Sequence, residues 1–417
     1  MNMRALIIIA IVATVIEPKL YCAEQWARLQ SGNLTIVSDD EPRGKVVLKQ
    51  VQEEKHALEE LGVSFVPFAK PITIILTRQA KLLRDAWPGN AGSASTFGGL
   101  TYGYEDQIFV LADLSKWDSE QNIRHEFVHA LFGQKHISLP LWLDEGLAEN
   151  YSVFQVQNGR VSLGPLDARR RWKQDSCPST LRFEQILTSS NKTVNYTSRG
   201  GGDFYHLSAV VVRSLIERHG IEAIDRFINA FADEKPTVAL MEAFHETPEQ
   251  IEVAALHQCK SPVVPTLHSH TSAVDEPQTI SSLTEAELRY VYYGLVARIP
   301  GHQQEASAVF QEMLRLNNND SRATSGMGVS LAFVGKYQEA TPYLLRAADS
   351  PTVNATTLYY LLVSCSNSTD CPEDKVDSAR LTLLKLRPDL KNVKDWRKSL
   401  TEQPEDGTDS GFLPDGS

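Results

Sequence analysis

The 417-residue sequence predicts an α+β domain followed by an all-α domain of helical repeats. Three observations predict it. Short β-branched runs alternate with amphipathic helical patterns as far as about residue 260. A stretch rich in Pro, Ser and Thr follows, with no sustained hydrophobic period. Beyond it, marker residues return at a constant offset.

The chain begins MNMRALIIIAIVATVIEPKLYCAEQW. Arg4 supplies a short positive region and Ala5–Ile16 an apolar run, too short to span a bilayer comfortably and suited to a signal sequence. Ala23 offers a cleavage point, so residues 1–23 are expected to be a signal peptide, with an uncleaved anchor as the alternative. No later segment is long and apolar enough to span, so the chain is expected to be exported, periplasmic or secreted. The net charge of −11 offers no broad basic footprint and argues against a nucleic-acid partner. Gly200–Gly202 lacks the Lys-Ser/Thr of a phosphate loop and is expected to be a flexible turn.

Residues 24–260 carry the mixed elements. NLTIVS and ITIILT are β-branched and predict strands over 33–38 and 72–77. Between them Val47, Val51, Leu58 and Leu61 recur at helical spacing. TFGGLTYGY and QIFVLAD predict a hairpin. After it come the helix of IRHEFVHALFGQKH and mostly helical patterns.

Residues 261–283 are expected to be a linker, and its His268 and His270 a solvated pair. In residues 284–392 Glu305-Ala306 returns as Glu339-Ala340, Gly294 as Gly328 and Gly301 as Gly335, each 34 residues on. Paired helices at this period look like tetratricopeptide repeats, a resemblance that implies a protein partner on the helical surface. A third, divergent copy carries CSNSTDC. The tail, 393–417, is acidic and expected to be disordered. Export permits disulfides. Cys365 and Cys371 are close in sequence and expected to pair; Cys177 with Cys259 follows by elimination, and free thiols are the alternative.

The chemistry concentrates in IRHEFVHALFGQKHISLPLWLDEGLAENY. Asp118 and Gln121 form a capping-box pattern at the start of the first helix, and Gly133 closes it. His125 and His129, four apart, stand on one helix face, where two imidazole nitrogens can reach one zinc ion. Glu126 lies beside them, within reach of a metal-held water. Pro140 opens a second helix that can fold back antiparallel, so Glu145 is the expected third ligand. Glu149, one turn further, is expected to accept the distal N–H of a liganding histidine. His136 is expected in the intervening loop and Trp142 in the core.

His-Glu-x-x-His followed by W-x-x-E-G-x-A-E resembles the gluzincins, zinc metallopeptidases of the thermolysin and aminopeptidase type. The close match covers about 30 residues. The resemblance implies a zincin-like metallopeptidase domain binding one Zn2+ through His125, His129 and Glu145, with Glu126 as general base. It implies a peptide or protein substrate. It also places a tyrosine near the start of a later helix as donor to the oxyanion; Tyr205 in FYHLSAVVVRSLIERHG matches, with His206 competing. The hairpin reads STFGGLTYGY where aminopeptidases carry Gly-Ala-Met-Glu-Asn, so endo- versus exopeptidase stays open. Two rival readings use the same residues: an interaction scaffold whose zinc only stiffens the fold, and a hydrolase of cell-wall peptides.

Overall fold

The computed structural model describes residues 26–60, 70–86, 98–116, 119–134, 139–157, 160–163, 182–189, 199–231, 235–260, 266–267, 279–368 and 371–391. The expected signal segment with Cys22 and Ala23, Leu61, Asp118, His136, Cys177, His268, His270, most of the expected linker and the tail 393–417 lie outside the described residues.

A mixed six-stranded sheet anchors the molecule. It is formed by β1 (Ala27–Ser31), β2 (Leu34–Ser38), β3 (Ile72–Thr77), β4 (Gly99–Gly103), β5 (Ile108–Asp113) and a late strand, Thr279–Ser282, in the order β4-β5-β3-β2-β1-late strand. Helix α1 (Glu41–Glu60) crosses over between the parallel strands β2 and β3, and α2 (Ala80–Asp85) follows β3. β3 and β5 are also parallel, whereas β4 and β5 form the expected antiparallel hairpin. The late strand pairs antiparallel with β1 at the opposite edge, so part of the expected linker belongs to the sheet.

Period-two patterning makes both faces of this sheet apolar. Ile36, Ile72, Ile74, Leu76, Ile108, Val110 and Ala112 point into one core. Val37, Ile75, Phe109, Leu111, Leu100 and Tyr102 point into the other. The first core is closed by α1 and by α3 (Ser119–Phe132), α4 (Leu141–Tyr151), α5 (Phe183–Leu187), α6 (Arg199–His219), α7 (Ile221–Phe231), α8 (Pro236–Phe244) and α9 (Pro248–Lys260). A small second sheet joins β6 (Phe154–Gln157), β7 (Arg160–Leu163) and β8 (Thr266–Leu267); the late strand of the main sheet is therefore β9. Gly200–Gly202, expected as a turn, lie in the first turn of α6. The N–H groups of a first turn need no acceptor within the helix, so the turn is compatible with glycine there.

The second core is closed by three consecutive helical hairpins. They are α10 (Glu285–Val296) with α11 (Gln303–Leu316), α12 (Ser321–Phe333) with α13 (Tyr337–Ala348), and α14 (Ala355–Ser366) with α15 (Glu373–Leu386). Thr284 and Glu287 form a capping box at the first helix, and Asp320 and Asn354 cap α12 and α14. The 34-residue offset has a physical basis in the turns: Gly301 and Gly335 adopt φ of +86° and +75°, a region other residues rarely enter. Ala306 and Ala340 are fully buried. Cys365 and Cys371 are bonded across the last hairpin. Cys259 is also disulfide-bonded; Cys177, its expected partner, is outside the described residues.

Candidate metal centre

Helix α4 is buried along its whole length. It nevertheless contains Asp144, Glu145, Glu149 and Asn150 within an apolar frame of Leu141, Trp142, Leu143 and Leu147. Charges placed in such a helix must be paired with opposite charge or a metal. One flank of α4 is α3, which carries the histidines; the other is α6. Contact with α6 is close because residue 146 is glycine: a Cβ there would lie 2.6 Å from the main-chain oxygen of Ser208 and 2.5 Å from Val212. Asn150 fastens the same pair of helices, donating to the main-chain oxygens of Gly146 and Ala209 at 2.7 and 2.8 Å and accepting from Arg213 Nε at 2.5 Å. Glycine after Glu145 thus lets the carboxylate's helix sink between its neighbours.

The structure brings His125, His129 and Glu145 together. Their rings are perpendicular, with centroids 4.8 Å apart. His125 Nε2 lies 3.2 Å from His129 Nε2 and 3.2 Å from Glu145 Oε2, and His129 Nε2 lies 3.5 Å from the same oxygen. A tetrahedral ion held at about 2 Å separates its ligand atoms by about 3.3 Å, so these three atoms fit three corners of such a shell. The buried Oε2 of Glu145 makes no hydrogen bond of proper geometry, as expected for an oxygen aimed at a cation. Among the described residues, these three form a group able to hold a metal ion.

The outer nitrogens face carboxylates. His129 Nδ1 is 3.0 Å from Asp144 Oδ1 and His125 Nδ1 is 3.6 Å from Glu149 Oε1, though neither contact has hydrogen-bond geometry. A proton on each Nδ1 leaves the Nε2 lone pairs directed inward. Burial resists charge on His129, yet Asp144 and Glu145 outweigh it and hold the ring well above the usual histidine range. Burial also resists ionisation of Glu145, but His129 and His125 hold it well below the usual carboxylate range. Burial raises Asp144 against the pull of His129. The pocket favours positive charge, whether a proton on His129 or an ion in its place.

Glu126 stands on α3 between the two histidines and faces β4, where Thr101 Oγ1 lies 2.8 Å from its Oε2. Tyr205, half-buried on α6, sets its ring 6.4 Å from that of His125. His206 beside it is pushed down to about 4 by burial, against the opposing pull of Asp203, and is neutral at neutral pH.

Asp144 was not among the residues expected from sequence. Its signal was an acid beside Glu145 on a helix with an apolar frame, but which histidine it would meet depended on how α4 crosses α3. Thr101 carried no signal at all, being one hydroxyl in a hairpin. No family model matches the chain, and no curated protein matches it. No helix among the described residues is long and apolar enough to cross a membrane.

Proposed function

We propose that the chain is an exported zinc-dependent peptidase of the gluzincin type. The observation that carries this reading is the convergence of two Nε2 atoms and one carboxylate oxygen at 3.2 to 3.5 Å, with a further carboxylate, Glu126, on the same helix. His125, His129 and Glu145 would hold the ion. A bound zinc ion supplies Lewis acidity, lowering the pKa of a water to about 7 and stabilising negative charge. Glu126 would take a proton from the attacking water as its oxygen bonds to the peptide carbonyl carbon, and pass that proton to the amine nitrogen as the C–N bond breaks. Tyr205 donates its hydroxyl to the carbonyl oxygen as that oxygen gains charge. Asp144 and Glu149 keep the two imidazoles in the tautomer that ligation needs. The hairpins α10–α15, read as tetratricopeptide repeats, would recruit a protein partner or substrate.

The test pairs metal analysis with cleavage of a peptide library. Wild type is expected to bind one zinc and cleave. Glu126→Gln is expected to keep the zinc and lose about 10²–10⁴-fold in turnover. Tyr205→Phe should lower kcat with zinc content unchanged. Bound zinc with no cleavage of any peptide, and no difference between wild type and Glu126→Gln, would instead support a scaffold stiffened by metal. Absence of stoichiometric metal would overturn both readings.

A further inference from the structure

We propose that Thr101 is the positioning residue for Glu126, holding its carboxylate as a base and keeping it out of the metal's ligand set. The inference rests on the hydrolytic reading above. The pleat of β4 turns Leu100 and Tyr102 into the core shared with the helical hairpins, and Gly99 and Thr101 toward α3. These two residues divide the work. A Cβ at Gly99 would lie 2.6 Å from Glu126 Cγ and 3.3 Å from Oε1, so this strand position is cleared for the glutamate side chain. Thr101 Oγ1 is 2.8 Å from Glu126 Oε2 and 2.8 Å from its main-chain oxygen. Both are acceptors, so the single hydroxyl proton is shared between them or given to one at a time, and its bond to Oε2 is the one that restrains the carboxylate. Thr101 is itself buried, so the anchor does not swing in solvent.

The chemistry explains why an anchor is needed. Glu126 follows one ligand and precedes the other by three residues. An anionic carboxylate on a flexible stem is drawn to a nearby divalent ion, where it would become a fourth ligand and occupy the position that water needs. A hydrogen bond from a rigid strand opposes that movement and limits the rotamers Glu126 must lose at each turnover.

The test uses the full chain. Thr101→Val keeps the shape and removes the donor; Thr101→Ala removes it with less crowding, should valine disturb packing. Both are expected to lower kcat about 10–100-fold with KM within about twofold, since a misplacement near 1 Å costs that much. Thr101→Ser is expected to retain most of the turnover. A second readout does not need turnover. In cobalt-substituted protein the visible spectrum of Thr101→Val should shift as Glu126 joins the ion, Thr101→Ser should match wild type, and Glu126→Gln/Thr101→Val should lose the shift. Unchanged kcat and spectrum in Thr101→Val and Thr101→Ala would overturn the proposal, as would Thr101→Ser behaving like Thr101→Val. If wild type cleaves nothing, the hydrolytic reading fails, while the spectra still decide whether Thr101 restrains Glu126.

Discussion

The two faces of the central sheet both bury charge, and they do so to different ends. On the hairpin side, Arg298 and Asp106 are 1 % exposed and bonded at 2.8 Å, and Asp106 Oδ2 also accepts from Thr356 at 2.7 Å. Arg298 donates to the main-chain oxygen of Gly294 and lies 5.5 Å from the ring centres of Tyr104 and Tyr360. Arg387, also 1 % exposed, donates to the main-chain oxygens of Glu105 and Asp106 at 3.1 and 2.9 Å and bonds Asp389. Arg298 pairs with Asp106 and Arg387 with Asp389, although the buried Asp106 Oδ1 and Arg298 Nε make no hydrogen bond. On the other face, two imidazoles and a carboxylate turn acceptor atoms toward one another, and the remaining carboxylates back them from outside. Buried charge alone does not mark a site. Convergence of lone pairs on one point is what distinguishes this other face, because added positive charge, a proton or an ion, makes that arrangement favourable.

This contrast predicts opposite responses to mutation. Asp106→Ala strands Arg298 in the core and should cost about 3–5 kcal/mol of stability, read by denaturant unfolding, with zinc stoichiometry of the folded protein unchanged. A stability loss no larger than that of a surface substitution would show that the pair is not the clamp between turn 104–107 and the hairpins. Gly146→Ala drives a methyl into Ser208 and Val212 and should cost about 1–3 kcal/mol; on the proposed reading it also weakens zinc, because it moves the helix that carries Glu145. On the proposed reading, Asp144→Asn should weaken zinc by about 10–100-fold in a chelator competition, with a smaller change in the unfolding midpoint of the metal-free protein. Equal losses of stability and affinity would erase the distinction between the two faces.

The smallest effect concerns His206. Its folded pKa, about 4, lies below the ordinary value of 6.5, so the unfolded chain binds the extra proton between those limits. Stability contributed by the neutral ring is present above pH 6.5 and lost as pH falls toward 4. His206→Gln should flatten the stability–pH curve in that window, by roughly 1 kcal/mol per pH unit at most, as read by Tm against pH. An unchanged slope would remove His206 as the source.

Legibility differed between the same two regions. The histidine pair was legible because helical spacing is local: residues four apart share a face whatever surrounds them. Glu145 needed the further inference that α4 folds back, which Pro140 and the short connection support. Thr101, lying 25 residues before its partner, had no local signature. In the hairpin region the 34-residue offset was legible because Gly301 and Gly335 mark turns with positive φ. Gly294 and Gly328, related by that offset, do different work. Gly328 does admit close approach, since a Cβ there would lie 2.6 Å from Leu344 Cγ, but at Gly294 the nearest atom is Arg298 Nη1 at 3.9 Å. The same repeat position therefore serves helix packing in one hairpin and borders the buried arginine in another.

By itself the sequence determined the alternation of the strands, the helix that pairs the histidines, the acids of the next helix and the period of the hairpins. All of these follow from backbone periodicity and local sterics, which act over a few residues. Only the tertiary structure decided that the hairpins pack against the back of the sheet through Val37, Ile75, Phe109 and Leu111, and that residues 279–282 return to it as β9. It alone decided that Asp144 backs His129 while Glu149 backs His125, and that a strand hydroxyl holds Glu126. These are contacts between distant segments, set by which faces bury the most apolar surface and by how closely glycines such as Gly99 and Gly146 allow neighbouring elements to approach.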